Sequence, residues 1–185
     1  MEAVEHITIR PASAGDAPAV AWLHADNWRR HYRGAYSDSY LDGDLDADRL
    51  AVWTDRLADS DPDRFTLAAV AGRDLVGFAH VVLDADPVFG ALLDNLHVRD
   101  SLRGGGVGTR LLAAVARETL ARRPQSGLYL WVLEQNTAAQ VFYRARAGTF
   151  GDRALTSAPG GKPENLNGAP AKVRVRWPDP TVLLA

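Results

Sequence analysis

No cysteine occurs among the 185 residues. That absence removes disulfide scaffolds, thiolate metal sites, iron–sulfur clusters and cysteine nucleophiles together, so no metal is expected. No apolar run approaches the ~20 residues that span a bilayer. Met1-Glu2-Ala3-Val4-Glu5 carries no basic segment ahead of an apolar one, so a cytoplasmic protein without a membrane partner is expected. A basic excess is lacking too: the formal charge of −2 argues against a nucleic-acid partner. Lysine is nearly absent, Lys162 and Lys172 being the two, and arginine supplies the other cations. What is present, 46% hydrophobic residues over this length, suffices for one compact core, and no composition shift or repeat divides residues 1–185.

Alternation in His6-Ile7-Thr8-Ile9-Arg10, stopped by Pro11, predicts a first strand. A helix follows, capped by Asp16, carrying Val20, Leu23, Ala25 and Trp28 on one stripe and ending between His31 and Gly34. The Asp- and Gly-rich segment 36–48 predicts a loop, and residues 49–57 a second helix. Residues 65–71 and 75–83, joined by Gly72-Arg73-Asp74, predict a hairpin, and residues 91–98 a further strand. From Val107, the spacing of Leu111, Leu112, Val115 and Leu120 predicts a helix stopped before Pro124. Residues 128–133 read as a strand, and Asn136 caps a helix to about Arg146. Two terminal strands, 150–155 and 172–177, flank the polar loop 157–170, which is too long for a tight turn.

The densest signal lies at the junction Leu96-His97-Val98-Arg99-Asp100-Ser101-Leu102-Arg103-Gly104-Gly105-Gly106-Val107-Gly108-Thr109. A strand that runs through glycines into a helix presents free backbone N–H groups and the positive end of the helix dipole to one place, and glycine lets an anion approach the backbone. The spacing excludes a Walker loop, because Gly108 is followed by Thr109-Arg110 and no lysine. A dinucleotide fingerprint fails as well, since the sixth position is Thr109 counting from Gly104 and Leu111 counting from Gly106. Glu134, after the next strand, imitates a ribose-binding acid and keeps a nucleotide as the lesser alternative.

Arg103, Gly106 and Gly108 fit the pattern Arg/Gln-x-x-Gly-x-Gly/Ala behind the strand end Leu96-x-Val98. Downstream stands Leu130-x-Val132-x-x-x-Asn136-x-x-Ala139-x-x-Phe142-Tyr143. With both segments, in this order, the chain resembles the GNAT superfamily of acetyl-CoA-dependent N-acetyltransferases, specifically over residues 92–150. The resemblance implies a single α/β domain with a central mixed, mostly antiparallel, twisted sheet of six or seven strands and helices on both faces. Within it the cofactor core spans about 91–150, the substrate-side helices and loop about 15–60, and the terminal hairpin about 150–177.

It implies acetyl-CoA as cosubstrate, with the pyrophosphate on the amides of Arg103, Gly104, Gly105, Gly106, Val107, Gly108 and Thr109. The pantetheine arm would pair with the strand at Leu96, His97 and Val98 and touch Asn136, Ala139 and Phe142. The Leu96 amide would stabilise the oxyanion, and Tyr143 would protonate the departing thiolate. Asp94, in the place of the Glu in the Glu-Asp-x-x-Val pattern of polyamine acetyltransferases, is the first candidate for general base, ahead of His97 and Glu134, and its short side chain favours relay through water. Ala147 stands where relatives carry the first glycine after the tyrosine helix, which implies an altered turn.

Trp28, Tyr32 and Tyr36, with Tyr40, form an aromatic cluster followed by Asp38, Asp42, Asp44, Asp46 and Asp48. These read equally as an acidic mouth for a cationic amine or as a solvated loop over core aromatics. The expected partner is a small-molecule or peptide amine acetylated by direct attack in a ternary complex. A non-catalytic acyl-CoA sensor of the same fold is the alternative, and the loop 157–170 would serve as an exchange arm if the chain formed a homodimer.

Overall fold

The computed structural model describes residues 7–185, so His6 of the first predicted strand lies outside the described residues. Seven strands form one sheet: β1 (Ile7–Pro11), β2 (Arg64–Ala71), β3 (Asp74–Asp86), β4 (Gly90–Val98), β5 (Leu128–Leu133), β6 (Thr149–Leu155) and β7 (Ala171–Trp177). Their spatial order is β1-β2-β3-β4-β5-β7-β6, antiparallel throughout except for β4 and β5. Among the described residues five α-helices surround the sheet: α1 (Ala17–His31), α2 (Asp38–Leu41), α3 (Leu45–Ala58), α4 (Val107–Arg122) and α5 (Thr137–Arg144).

Strand alternation decides which helix covers which face. Leu111, Leu112, Val115 and Ala116 of α4 and Tyr143 of α5 pack with Leu128, Leu130, Val132, Val175 and Trp177. On the other face Val20 and Leu23 of α1 and Trp53 of α3 pack with Ala68, Leu75 and Phe78. Every one of these side chains is less than a tenth exposed, so two apolar layers enclose the sheet. None of the described helices is long and apolar enough to cross a membrane.

Departures from the sequence expectations concentrate where apolar periodicity is short. The expected loop after α1 contains α2, a single turn on Leu41, and α3 begins four residues before the predicted Arg49 because Leu45 is itself a core residue. β7 inserts between β5 and β6 rather than ending a simple hairpin at the sheet edge. Loop 157–170 docks on its own chain: Ser37 N–H donates to Asn165 C=O at 2.9 Å, Asn167 N–H to Ala35 C=O at 2.8 Å, and Tyr36 bridges to Leu166. Ala147 takes the left-handed conformation itself, at φ 59°, so the turn keeps the shape a glycine would give it.

Candidate active site

The cleft arises from a single extra residue. His80 pairs with Asn95 and Val81 with Leu93, which leaves Asp94 without a partner on β3: a β-bulge. Leu93 and Leu96, three residues apart, therefore both face the α4 side, where strict alternation would have put them on opposite faces. Beyond the bulge β4 leaves β5; the parallel pairs end at Ala91–Leu128 and Leu92–Tyr129. Leu93–Val98 and Leu130–Leu133 then form the walls of a cleft of about 360 Å³.

The β3–β4 register fixes where the backbone groups point. Arg99 N–H donates to Val76 C=O at 2.8 Å, so the alternating ladder bonds His97 and Asn95 to β3. Leu96 and Val98 consequently turn their N–H and C=O groups toward the missing ladder with β5. Of these groups, Val98 C=O accepts from Asn27 Nδ2 at 3.1 Å.

At its wide end the cleft meets the glycine turn. Gly104 and Gly106 have φ of 78° and 84°, and no atom lies within 4 Å of where a Cβ would stand on either. Gly106 is the N-cap of α4 and carries no capping side chain; the first helical bond runs from Arg110 N–H to Gly106 C=O at 3.0 Å, leaving the amides of Val107, Gly108 and Thr109 ahead of it. Gly108 has a packing reason of its own, because a Cβ there would come within 3.2 Å of the Phe142 ring. Arg103 and Arg146 line the same end. Arg146 stacks on Phe142 at 3.8 Å and donates through Nε to Thr109 Oγ1 at 2.9 Å, with Nη2 adding a second bond. Open left-handed glycines, uncapped amides and two guanidinium groups form a cradle that fits a pyrophosphate.

Two phenols also line the cleft. Tyr143 is buried, edge-on to Phe142 and Trp177, and among the described residues its hydroxyl has no hydrogen-bond partner. Burial pushes its phenol well above the ordinary value, so it keeps its proton at any physiological pH. Tyr32 of α1 reaches the cleft as well, its phenol pushed up to about 12 by burial, with the charge of Asp94 adding to the shift. Asn136 caps α5, accepting from Ala139 N–H at 3.2 Å, and also lines the cleft with Ala139 and Phe142. Asp94 lines it from the bulge, its carboxylate held by Arg56 Nη1 at 3.1 Å.

The two other base candidates lie differently. The His97 ring packs between His24 and Phe78 behind β4, with Nδ1 3.3 Å from Asn27 Nδ2, and burial lowers its pKa to about 3. Glu134 is outside the cleft in a two-bond pair with Arg153, both at 2.9 Å. On the substrate side Trp28 and Tyr36 are buried behind Tyr32 in one stacked cluster, and Tyr32 alone of the three reaches the cleft. Four of the five aspartates of the acidic run pair with the chain's own cations: Arg33 holds Asp38 and Asp42, Arg29 holds Asp46, and Arg49 holds Asp48, while Asp44 has no such partner among the described residues. For those four aspartates the self-pairing supports the solvated-loop alternative. Asn27 was missed in the sequence because nothing in an amphipathic helix marks one buried amide as different from a core polar residue.

Residues 25–148 match the model of the acetyltransferase (GNAT) family, more than half of the chain. A probable N-acetyltransferase of Mycobacterium tuberculosis is 27% identical over 157 residues, covering 83% of this chain and 86% of that protein. Among solved structures, PaiA N-acetyltransferase from Thermoplasma acidophilum in complex with coenzyme A superposes with a TM-score of 0.67 at 19% identity, covering 93% of this chain and 99% of that one. Arabidopsis thaliana NAA60 in complex with a bisubstrate analogue does so with a TM-score of 0.66 at 18% identity, covering 93% and 97%. The seven-stranded sheet and its flanking helices are thus the fold of these enzymes, and the chain belongs to the acetyltransferase (GNAT) family.

Proposed function

We propose that the chain transfers an acetyl group from acetyl-CoA to a primary amine by direct attack within the cleft between β4 and β5. The observation that carries this reading is the continuity of three features: the uncapped α4 amides, the unladdered backbone of Leu96 and Val98, and the protonated phenol of Tyr143. Acetyl-CoA supplies the activated acetyl group as a thioester. The amides of residues 104–109, with Arg103 and Arg146, bind the pyrophosphate. Leu96 and Val98 hold the pantetheine arm as an added strand, while Asn136, Ala139 and Phe142 form the opposite wall. The Leu96 N–H faces the carbonyl oxygen on which negative charge develops.

As the amine nitrogen bonds to the carbonyl carbon and the carbon–sulfur bond breaks, Tyr143 gives its proton to the sulfur, and the second proton lost by the nitrogen as the amide forms restores the phenol. A phenol whose pKa burial has raised is suited to that role, because it is never lost to ionisation beforehand. Asp94, which Arg56 holds at the cleft wall, takes the proton of the incoming ammonium through water. The test is thiol release from acetyl-CoA against a panel of polyamines, aminoglycosides, amino acids and peptide N-termini, with thermal shifts by CoA, ATP and NADH alongside. Acyl transfer predicts release with at least one amine and the largest shift with CoA. Tight CoA binding with release by none would favour a non-catalytic acyl-CoA sensor.

A further inference from the structure

The sheet face opposite α4 and α5 carries an unusual strip at its C-terminal half. Tyr129, Trp131 and Leu133 of β5 stand in register with Arg176, Arg174 and Lys172 of β7, so all six share that face. Cations and rings alternate along it. Lys172 Nζ lies 4.7 Å from the Trp131 ring centre, the Arg174 guanidinium 4.6 Å from Trp131 and 3.8 Å from Phe89, and Arg176 6.0 Å from Phe89. The strip is continuous with the cleft, since Trp131 and Leu133 line both.

Charge accounting separates these cations. Arg174 is neutralised by Asp152 at 3.0 Å. Most carboxylates around the acceptor side are likewise committed: Asp94 to Arg56, Glu134 to Arg153, and Asp38, Asp42, Asp46 and Asp48 to Arg33, Arg29 and Arg49, with Asp44 unpaired among the described residues. Arg176 has no carboxylate within salt-bridge distance among the described residues either, but it is exposed, and Lys172 is the partly buried cation of the strip without one. It is partly buried on Trp131, and among the described residues no carboxylate lies within salt-bridge distance of it. Asp94 attracts this partly desolvated ammonium from beyond salt-bridge distance, which leaves room for an anion in direct contact with it. Leu133, paired with Lys172 across the ladder, is a cleft wall residue, so the Lys172 backbone lies one strand spacing, about 4.8 Å, from the cavity lining, and its ammonium rests on Trp131, a second wall residue.

We propose that this strip is the acceptor end of the site and that Lys172 receives a carboxylate carried by the amine that is acetylated. The substrate class is therefore short amino acids, with amine and carboxylate separated by a few carbons, rather than polyamines. The inference rests on the acyl-transfer reading above and adds the acceptor to it.

The test compares kcat/KM for glycine, 3-aminopropanoate, 4-aminobutanoate and 5-aminopentanoate, each beside its carboxamide and the diamine of matching length, with 2-aminoethyl phosphate as a further arm. At one length or more the acid should exceed its amide by about tenfold, the size of one charge-assisted hydrogen bond. Lys172→Met should bring that ratio close to one, and Lys162→Met, in the remote loop, should leave it intact. Amides or diamines preferred at every length, a ratio unmoved in Lys172→Met, or the phosphate preferred over every carboxylate would each overturn the proposal. Absence of turnover with every amine, here and in the broader panel above, would contradict acyl transfer itself. Calorimetry on the CoA-saturated protein would then decide this inference: binding of the acids above the amides, abolished in Lys172→Met, supports it, and no such difference overturns it.

Discussion

Three buried histidines make the fold acid-sensitive, and the size of the effect follows from their environments. His24, His80 and His97 are each less than a twentieth to a tenth exposed, and burial lowers His97 to about 3, His80 to about 4, and His24 well below its usual value. A histidine with a depressed folded pKa stays neutral in the native protein while the unfolded chain takes up the proton. Stability is therefore full above the unfolded pKa near 6.5 and is lost as pH falls from there toward the folded values. At one pH unit below 6.5 each such histidine costs on the order of 1 kcal/mol, so the three together cost on the order of 4 kcal/mol against a total of about 5–15 kcal/mol. At about 2–4 °C per kcal/mol for a chain of this size, melting should fall by about 8–16 °C between pH 7.5 and pH 5.5. Thermal denaturation followed by circular dichroism reads this directly. His80→Gln, which can still meet Thr66 Oγ1, should remove about a third of the slope. An unchanged melting temperature across that interval would refute the assignment of these rings as neutral and buried.

The anion cradle is tested by Gly106→Asn against Gly106→Asp: both side chains tolerate the left-handed φ and have one shape, so about a tenfold or larger loss of CoA affinity in Asp relative to Asn, shrinking with added salt, isolates charge at the pyrophosphate position. Equal affinities would move the phosphates elsewhere. Ala147→Gly should raise stability by about 1 kcal/mol, since the left-handed conformation costs an alanine about that much; an unchanged or lower melting temperature would show that the surrounding contacts already favour alanine. Asp94→Asn should depress turnover most below the acceptor's pKa and recover as pH rises and neutral amine becomes available, whereas a pH-independent loss would show a role other than proton acceptance.

The core was legible because its signals are local. Glycines at 104, 105, 106 and 108, a helical stripe from Val107 and the short apolar run at residues 128–133 mark turn, helix and strand without tertiary information. The bulge left a trace as well, the three-residue step from Leu93 to Leu96, but only pairing with His80 and Val81 turns that step into a splayed strand. What stayed hidden depends on partners far away in sequence. Four of the aspartates of residues 38–48 pair with Arg29, Arg33 and Arg49, and neither composition nor spacing announces those pairs. The same holds for Lys172, whose isolation is a property of β5 and β7 in register and of the carboxylates engaged elsewhere.

The central claim, acetyl transfer completed by a buried phenol, is tested most directly by counting free CoA and acetylated amine together in wild-type protein and in Tyr143→Phe. The account predicts equal amounts of the two products from the wild type. For Tyr143→Phe it predicts turnover lower by about 10²-fold, with CoA affinity nearly unchanged and no recovery at high pH. Free CoA without acetylated amine, or a Tyr143→Phe variant with wild-type turnover across the pH range, would contradict it.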